Sequence, residues 1–273
     1  MNTKSETDYV LGTHDAEIQR LQLQHGIWRD LVQDCWQRAG ISNGQTVVDI
    51  GCGPGFASVD LASQVGANGK VIGIERSERF IEFAKAHCQA QQKHNVSFQL
   101  ADVMLDELSP YNADAIWCRW LAIFVSDPAL LVQKMANAVK PGGKIIFHEY
   151  LHYETYQCIP PSKYLEEFVQ HVMSSWREFG GEPNVARYLP EHLSAANCRI
   201  IDTRPISFSA QPHQAVWQWP ASFININLQR LLDLNLVDQD WVAAVKTDVV
   251  KLEANPNALF VTPMVLEIIA EKM

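Results

Sequence analysis

The amino-acid sequence predicts an α/β fold, a doubly wound and mostly parallel seven-stranded sheet with helical cap insertions. Three observations predict it. Short β-branched apolar runs alternate with segments of helical periodicity over the first half of the 273 residues. A glycine-rich turn joins the first of these runs directly to a helical segment. After residue 150 the alternation gives way to prolines and long amphipathic segments, which indicates insertions.

The predicted strands are short and are bounded by residues that favour turns. The first, at 46–50, reads Thr-Val-Val-Asp-Ile and stands between Asn43-Gly44 and Gly51, as expected of a strand buried on both faces. The other predicted strands lie at 70–75, 96–100, 113–118, 144–149, 199–207 and 264–270.

The predicted helices carry recognisable start and stop residues. Helices are expected at 56–65 ended by Gly66, at 78–92 capped by Ser77, at 127–139 opened by Asp127-Pro128, and at 191–196. One or two amphipathic helices at 15–39 precede the core. A long helical pattern follows Pro160-Pro161 to about residue 179, and a mostly helical stretch covers 213–253.

These elements predict a single domain, because no repeat, low-complexity tract or flexible linker divides the chain. Its core is expected at about 41–150 with 189–210 and 258–273. The helical segments at about 8–40, 151–188 and 211–257 are expected to form a cap over the edge of the sheet where the strands end.

Composition limits the function. The net charge of −9 and the absence of Lys/Arg runs argue against a nucleic-acid partner. The six cysteines show no metal-ligand spacing, so no metal is expected. No apolar run is long enough to span a bilayer, and residues 1–9 lack the pattern of a secretion signal. We therefore expect a cytoplasmic protein without a membrane partner.

The strongest motif is the stretch Val47-Val48-Asp49-Ile50-Gly51-Cys52-Gly53-Pro54-Gly55. A glycine turn between a strand and a helix exposes backbone N–H groups to a ligand at the carboxyl edge of the sheet. A structural turn and a dinucleotide site are the alternatives. Phe56 occupies the position where a dinucleotide-binding turn has its third glycine, which counts against NAD.

Two acidic residues support an adenosine ligand. Glu75 ends the second predicted strand, where a carboxylate can accept hydrogen bonds from ribose hydroxyls. Asp102 follows the third strand, within reach of an adenine amine. Either acid alone is more often solvated, but acids and glycines at the ends of three successive parallel strands converge on one pocket.

This combination resembles the class I S-adenosylmethionine-dependent methyltransferases, which share a Rossmann-like fold and a D-x-G-x-G-x-G turn. The similarity extends through residues 114–119 and the turn Lys140-Pro141-Gly142-Gly143, and covers roughly 46–150. It implies S-adenosylmethionine as cofactor. The implied cofactor-binding residues, with their immediate neighbours, are Asp49, Gly51, Cys52, Gly53, Gly55, Glu75, Arg76, Asp102, Val103 and Cys118.

A further resemblance lies in the N-terminal helix, where Glu17, Arg20, Leu21 and Gln24 form an E-x-x-R-L-x-x-Q pattern. In small-molecule members of the family a helix with this pattern covers the cofactor, which adds Arg20 and Gln24 to the predicted site. The solvated polar face of an amphipathic helix is an equally good interpretation.

The acceptor site is expected beside the fourth and fifth strands. His148 and His152 are the candidate catalytic bases, against the alternative of a buried structural histidine. The candidate substrate residues are Arg119, Trp120, Glu149, Tyr150 and Tyr153. One or two of the tryptophans in the helical insertions, at positions 176, 217, 219 and 241, are expected to line the pocket.

The sequence therefore predicts a methyltransferase acting on a small-molecule acceptor, as a monomer or homodimer, with the acceptor atom open among oxygen, nitrogen and carbon. The alternatives are an RNA methyltransferase, which the net charge disfavours, and a non-catalytic S-adenosylmethionine-binding protein, which fold alone does not exclude.

Overall fold

The computed structural model describes residues 12–108 and 111–273. Residues 8–11 of the expected cap, and the N-terminal residues 1–9 considered for a secretion signal, lie wholly outside the described part. Among the described residues no helix is long and apolar enough to cross a membrane.

A seven-stranded sheet forms the centre of the molecule, as predicted. The ten strands of the described residues, in chain order, are β1 (Thr46–Ile50), β2 (Lys70–Glu75), β3 (Val96–Leu100), β4 (Ala113–Arg119), β5 (Val139–His152), β6 (Gln157–Ile159), β7 (Cys198–Ile206), β8 (Ser209–Ala210), β9 (Leu259–Val261) and β10 (Met264–Lys272). The central sheet has the order β3-β2-β1-β4-β5-β10-β7. Its first five strands are parallel, and β10 runs antiparallel to both β5 and β7.

Eight α-helices accompany the sheet in the described part of the chain. They are α1 (Asp15–Arg38), α2 (Phe56–Val65), α3 (Glu78–Ala90), α4 (Pro128–Ala138), α5 (Lys163–Glu178), α6 (Leu189–Ala195), α7 (Gln218–Asp233) and α8 (Gln239–Glu253). The predicted start and stop residues are confirmed: Ser77 accepts from the Phe80 N–H, Asp127 accepts from the Leu130 N–H, and Gly66 ends α2 with a φ of +65°.

The strand at the centre shows why the sequence folds this way. Val47, Val48 and Ile50 of β1 are at most 1% exposed, because helices cover both faces of the sheet and leave no side for polar residues. Asp49 interrupts this apolar run at the carboxyl end, where the strand meets the glycine turn. The one polar side chain thus stands where a ligand can reach the sheet.

The segments around the core differ from expectation in detail. The N-terminal pattern forms one helix, α1, and the stretch at 213–253 forms two, α7 and α8. Strand β5 is longer than the predicted 144–149 because Val139 pairs with Ala113 ahead of the turn at 140–143, and pairing with β10 extends to His152.

A second sheet, of order β6-β9-β8, was missed. Its strands have two or three residues each, too few for an alternating pattern to be recognised.

Candidate functional site

A cavity of about 380 Å³ lies at the carboxyl end of the parallel strands. Its wall includes the glycine turn after β1 and residues that follow β2, β3 and β4. Helices α1, α5 and α7 complete the wall. All three segments expected to form a cap therefore contribute side chains to one cavity, within the size range of small-molecule pockets.

The glycine turn is shaped for close approach by a ligand. Gly51 and Gly53 line the cavity with φ angles of +66° and +52°. A Cβ added to Gly53 would meet no atom within 4 Å, so it would project into empty space in the turn. Gly55 is different: it does not line the cavity, and a Cβ there would lie 2.9 Å from Ala84 Cβ. The structure thus gives Gly55, predicted as a cofactor-binding residue, a close packing contact with α3.

Glu75 ties the end of β2 to this turn. Its Oε2 accepts from the Gly53 N–H at 3.1 Å, and its Oε1 accepts from the Arg76 and Ser77 N–H groups at 2.9 Å. A carboxylate has about four lone-pair positions, so these bonds leave room for a further donor from the cavity. Burial raises the pKa of Glu75, and the backbone donors act against that rise. Arg76 also lines the cavity.

Asp49 and Cys52 form the floor beneath the turn. Asp49 Oδ2 accepts a 2.6 Å hydrogen bond from the Ser58 hydroxyl, and burial raises the pKa of Asp49 to about 6. Burial also raises the pKa of the Cys52 thiol, which keeps it a neutral wall residue. Both residues line the cavity.

Asp102 and Val103 close the side of the cavity beyond β3. Asp102 Oδ1 accepts from the Met104 N–H at 2.8 Å, and its own N–H donates to Asp106. These local bonds hold the acid at the start of the loop and fix the direction of its carboxylate.

The polar residues of α1 are buried, so the alternative of a solvated helix face is wrong. Arg20 donates to both carboxylate oxygens of Glu17, at 2.7 and 2.8 Å, and also to Gln24 Oε1. Trp219 of α7 donates to the same Gln24 oxygen at 3.2 Å. Arg20 and Gln24 both line the cavity, and the network joins α1 to α7 above the glycine turn.

The loop after β4 is positioned from below by Glu149. Its Oε1 accepts from the Leu121 and Ala122 N–H groups at 2.9 and 2.8 Å, and burial raises the pKa of Glu149 to about 8. Cys118 Sγ lies 3.8 Å from the same oxygen. Neither residue lines the cavity, so Glu149, predicted as a substrate contact, and Cys118, predicted as a cofactor contact, both stand behind its wall.

The two histidines predicted as bases do not reach the cavity. His148 is fully buried under the sheet edge, where its Nε2 lies 2.8 Å from Glu267 Oε2. His152 is exposed, and its Nδ1 lies 3.1 Å from Glu154. Neither is part of the cavity wall, and the burial of His148 fits the structural alternative; the catalytic role of the two residues stays a prediction.

Of the four other predicted substrate residues, three line the cavity and one does not. Arg119, Trp120 and Tyr150 line the cavity. Tyr153 does not, because it is buried behind Tyr150, with ring centroids 4.9 Å apart. The backbone of Trp120 adopts a φ of +52°, and its backbone N–H donates to the His148 carbonyl at 3.0 Å. Strained backbone conformations of this kind occur preferentially at functional sites.

Further aromatic residues complete the acceptor side of the cavity. Trp176 of α5, together with Phe124, Phe179 and Phe223, belongs to its wall. Of the four insertion tryptophans, Trp176 alone lines the cavity. The three phenylalanines were missed, because an aromatic residue in an amphipathic segment looks the same in sequence whether it faces a cavity or the core.

His25 was also missed. Its Nδ1 lies 3.1 Å from Arg119 Nη2, and its Nε2 lies 3.1 Å from Asp60 Oδ2. Arg29 holds the same Asp60 carboxylate through two 2.7 Å hydrogen bonds. These polar contacts join residues of α1, α2 and the end of β4. The residues are far apart in the sequence, so no local motif predicts the contacts.

One buried cluster lies outside the cavity. Cys35, His148 and Glu267 offer ligand atoms within 4.8 Å of one another. Glu267 is already paired with Arg38 and Arg204. Burial alone would raise the pKa of Glu267, but the hydrogen bond from His148 and the two arginines outweigh it and lower that pKa to about 2. The ion pairs of Glu267 with the two arginines connect α1 to the sheet.

Comparison with known proteins gives a consistent result. The family described as methyltransferase domain matches residues 41–196 of the chain, which is more than half of it. A chain in the complex between the Haloferax volcanii Trm112 methyltransferase activator and its methyltransferase superposes with a TM-score of 0.60. That match covers 99% of both chains at 15% identity, and so shows the fold.

Two curated relatives are similar in sequence. The ubiquinone biosynthesis O-methyltransferase of Neisseria meningitidis serogroup C is 28% identical over 173 residues, which are 60% of this chain and 68% of the relative. The demethylmenaquinone methyltransferase of Lactococcus lactis subsp. lactis is 30% identical over 129 residues, 47% of this chain and 50% of the relative. The matched stretches thus span about half to two thirds of the relatives' own lengths.

Proposed function

This chain belongs to the methyltransferase domain family, with S-adenosylmethionine as its cofactor, and from that premise we propose that it methylates a small organic acceptor in the cavity described above. The observation that carries the proposal is the meeting of the glycine turn, Glu75 and the Arg119–Trp120 segment in one cavity, whose wall also includes residues of α1, α5 and α7. A donor and an acceptor held there would lie side by side.

The residues on one side of the cavity fit the cofactor. The open space at Gly53 admits a ligand against the backbone, and Glu75 has an accepting position left for a ribose hydroxyl. Asp102 and Val103 stand where the base would lie, and the buried Arg20 of α1 stands over the turn. Gly51, Cys52, Arg76 and Gln24 complete this side, and Asp49 supports the turn from within.

When bound, S-adenosylmethionine supplies an electrophilic methyl group and leaves as S-adenosylhomocysteine. The chain's own residues then have three tasks. The loop held by Glu149 places Arg119 and Trp120 beside the methyl position. The aromatic wall of Tyr150 and Trp176 orients a planar acceptor within attack distance. Helices α1, α5 and α7 exclude water from the junction.

The acceptor proposed is a small aromatic molecule. The two relatives are named for ubiquinone and demethylmenaquinone methylation, and the aromatic wall suits a ring of that kind. The small cavity and the net charge of −9 favour such an acceptor over RNA, the alternative considered from sequence. A cytoplasmic location and a monomer or homodimer remain predictions.

The test is methyl transfer from labelled S-adenosylmethionine to a panel of phenols, quinols, thiols and amines. We expect transfer to at least one aromatic acceptor and none to transfer RNA. Tight binding of S-adenosylhomocysteine without transfer to any acceptor would favour the non-catalytic binding protein instead. Transfer to RNA would contradict the small-molecule proposal.

A further inference from the structure

Three hydrogen-bond donors on residues of the cavity wall have no partner. They are Arg119 Nη1, Trp120 Nε1 and Trp176 Nε1, each buried and without a hydrogen-bond acceptor among the residues that the structure describes. Trp176 is only 1% exposed. An unsatisfied buried donor costs about 1–3 kcal/mol, and three of them belong to residues of one cavity wall.

The unsatisfied acceptors lie elsewhere. Glu149 Oε2 and Asn227 Oδ1 are the buried side-chain oxygens without a partner in the described part of the chain. Neither residue lines the cavity. The unsatisfied donors therefore belong to residues of the cavity wall, and the unsatisfied oxygens do not.

Arg119 brings a positive charge to this side of the cavity. Its guanidinium lies 5.0 Å from the centroid of the Trp120 ring and 5.9 Å from that of Trp117, and it forms no ion pair with a described carboxylate. Burial lowers the pKa of Arg119 to about 10, with the charge of Asp49 acting against the fall. The group is thus cationic at neutral pH and lacks a counter-ion in contact.

His25 fixes the position of that charge. A guanidinium only donates, so Arg119 Nη2 donates to His25 Nδ1 at 3.1 Å. The imidazole must then carry its proton on Nε2, which donates to Asp60 at 3.1 Å. Burial lowers the pKa of His25, and the Arg119 charge acts in the same direction, which keeps the ring neutral and able to accept.

Among the described residues, the aromatic side of the cavity wall contains no histidine, aspartate or glutamate that could remove a proton from the acceptor. His148 and His152 are outside the wall, and no other histidine belongs to it among the described residues. Burial raises the pKa of Tyr150, so its phenol stays protonated. The remaining acids of the wall, Asp49, Glu75 and Asp102, belong to the cofactor side.

On the premise of the proposed function, we propose that the acceptor binds as an aromatic oxyanion, a phenolate or enolate, whose charge is held by Arg119 beside the Trp120 and Trp176 rings of the cavity wall. His25 is a positioning residue that orients Arg119 without touching the acceptor. Arg119 thereby selects acceptors that ionise and excludes protonated amines, whose charge has the same sign.

The reaction balances without a base in the site. For transfer to oxygen, the ionised acceptor contributes the electron pair of its new oxygen–carbon bond to the methyl group. The pair of the broken sulfur–carbon bond stays on sulfur as a neutral thioether. The acceptor's proton has already gone to solvent before binding, so the protein takes up and releases none.

The test uses protein saturated with S-adenosylhomocysteine and 4-nitrophenol, whose ionised form absorbs visible light. We expect the bound phenol to titrate at a lower pH than the free phenol, by about one pKa unit or more, because one nearby desolvated charge has at least that effect. The matched neutral probe is 4-nitroanisole, which has the same ring without the charge. It should bind at least about tenfold more weakly.

Variants separate the roles. Arg119→Met should abolish the shift in the phenol titration and weaken phenolate binding at least about tenfold, while S-adenosylhomocysteine affinity changes less than about threefold. His25→Phe should weaken the shift, and His25→Gln, which keeps an accepting oxygen, should restore part of it. Arg79→Met, which removes a guanidinium that pairs with Asp15 outside the cavity wall, is the matched control.

Several results would overturn the proposal. Equal binding of 4-nitrophenol and 4-nitroanisole would remove the anion preference, and so would failure of 4-nitrophenol to bind. A loss of S-adenosylhomocysteine affinity in Arg119→Met as large as the loss for phenolate would assign Arg119 to the cofactor's carboxylate instead. In each of these cases the wild-type protein would still bind S-adenosylhomocysteine and transfer methyl groups. If the proposed function itself were wrong, the wild-type protein would lack cofactor binding or methyl transfer.

Discussion

Replacing Glu75 with glutamine should separate cofactor binding from the stability of the fold. In the protein, Glu75 Oε2 accepts from the Gly53 N–H, and Oε1 accepts from the Arg76 and Ser77 N–H groups. A glutamine amide keeps one oxygen and places an NH₂ group against backbone donors. It also lacks the charge that strengthens a hydrogen bond from a ribose hydroxyl.

The expected magnitude follows from the bonds at stake. A hydrogen bond to a charged group contributes about 1.5–3 kcal/mol, so Glu75→Gln should weaken S-adenosylhomocysteine binding about 10- to 100-fold. Calorimetry measures the affinity, and urea unfolding reports the stability of the fold. Glu78→Gln, at an exposed glutamate at the start of α3, is the matched control and should leave both unchanged.

A ribose analogue makes this prediction specific. The 2′,3′-dideoxy analogue of S-adenosylhomocysteine should bind the wild type more weakly than the parent compound, and the two should bind Glu75→Gln almost equally. If the variant still distinguishes the two compounds as strongly as the wild type does, Glu75 acts on the turn and not on the ribose. The reasoning about its remaining accepting position would then be refuted.

Three further predictions follow from other parts of the structure. Gly53→Ala should weaken S-adenosylhomocysteine binding at least about tenfold, because its Cβ would occupy open space at the cavity wall. The strained φ should lower the stability of the fold by only about 1–2 kcal/mol. Unchanged affinity by calorimetry would show that the ligand binds elsewhere. The pKa of Glu267 is lower in the folded protein than in the unfolded chain, so the ionised carboxylate stabilises the fold at pH values above the unfolded pKa. This stabilisation is lost as the pH falls from about 4.5 to 2. Urea unfolding measures the free energy of unfolding, and between pH 5 and pH 3 this should fall by about 1–3 kcal/mol less in Glu267→Gln than in the wild type. An equal fall in the two proteins would show that this carboxylate does not contribute to acid sensitivity. Hydrogen exchange should slow in α5 and α7 when S-adenosylhomocysteine and an acceptor bind, and exchange that is unchanged there would contradict their role as a cover.

The sheet and the glycine turn could be predicted because their signals are local. A strand is predicted by the run Val47-Val48-Asp49-Ile50, and the turn after it predicts the bend and the backbone that faces a ligand. Helix starts are marked by Ser77 and Asp127, because each accepts a hydrogen bond from the residue three positions later. The resemblance to a known family then assigned roles to the acids at the strand ends.

The acceptor side could not be predicted because its contacts join distant parts of the chain. His148 stands at a strand end, as a base would, but its partner Glu267 lies 119 positions later and draws it into the interior. Glu149 is adjacent to Tyr150 on β5, yet alternate strand residues point to opposite faces. That alternation sends Tyr150 to the cavity and Glu149 under the β4 loop. His25 meets Arg119 only after α1 packs against the sheet.

The most direct test of the account is calorimetric titration of S-adenosylhomocysteine into the wild-type chain and the Gly53→Ala variant under the same conditions. The account predicts one molecule bound per chain in the wild type and at least about tenfold weaker binding in the variant, with both chains folded. It also predicts no comparable heat from NAD. A folded wild-type chain that binds NAD but not S-adenosylhomocysteine, or binds S-adenosylhomocysteine equally well with alanine at position 53, would contradict the central claim.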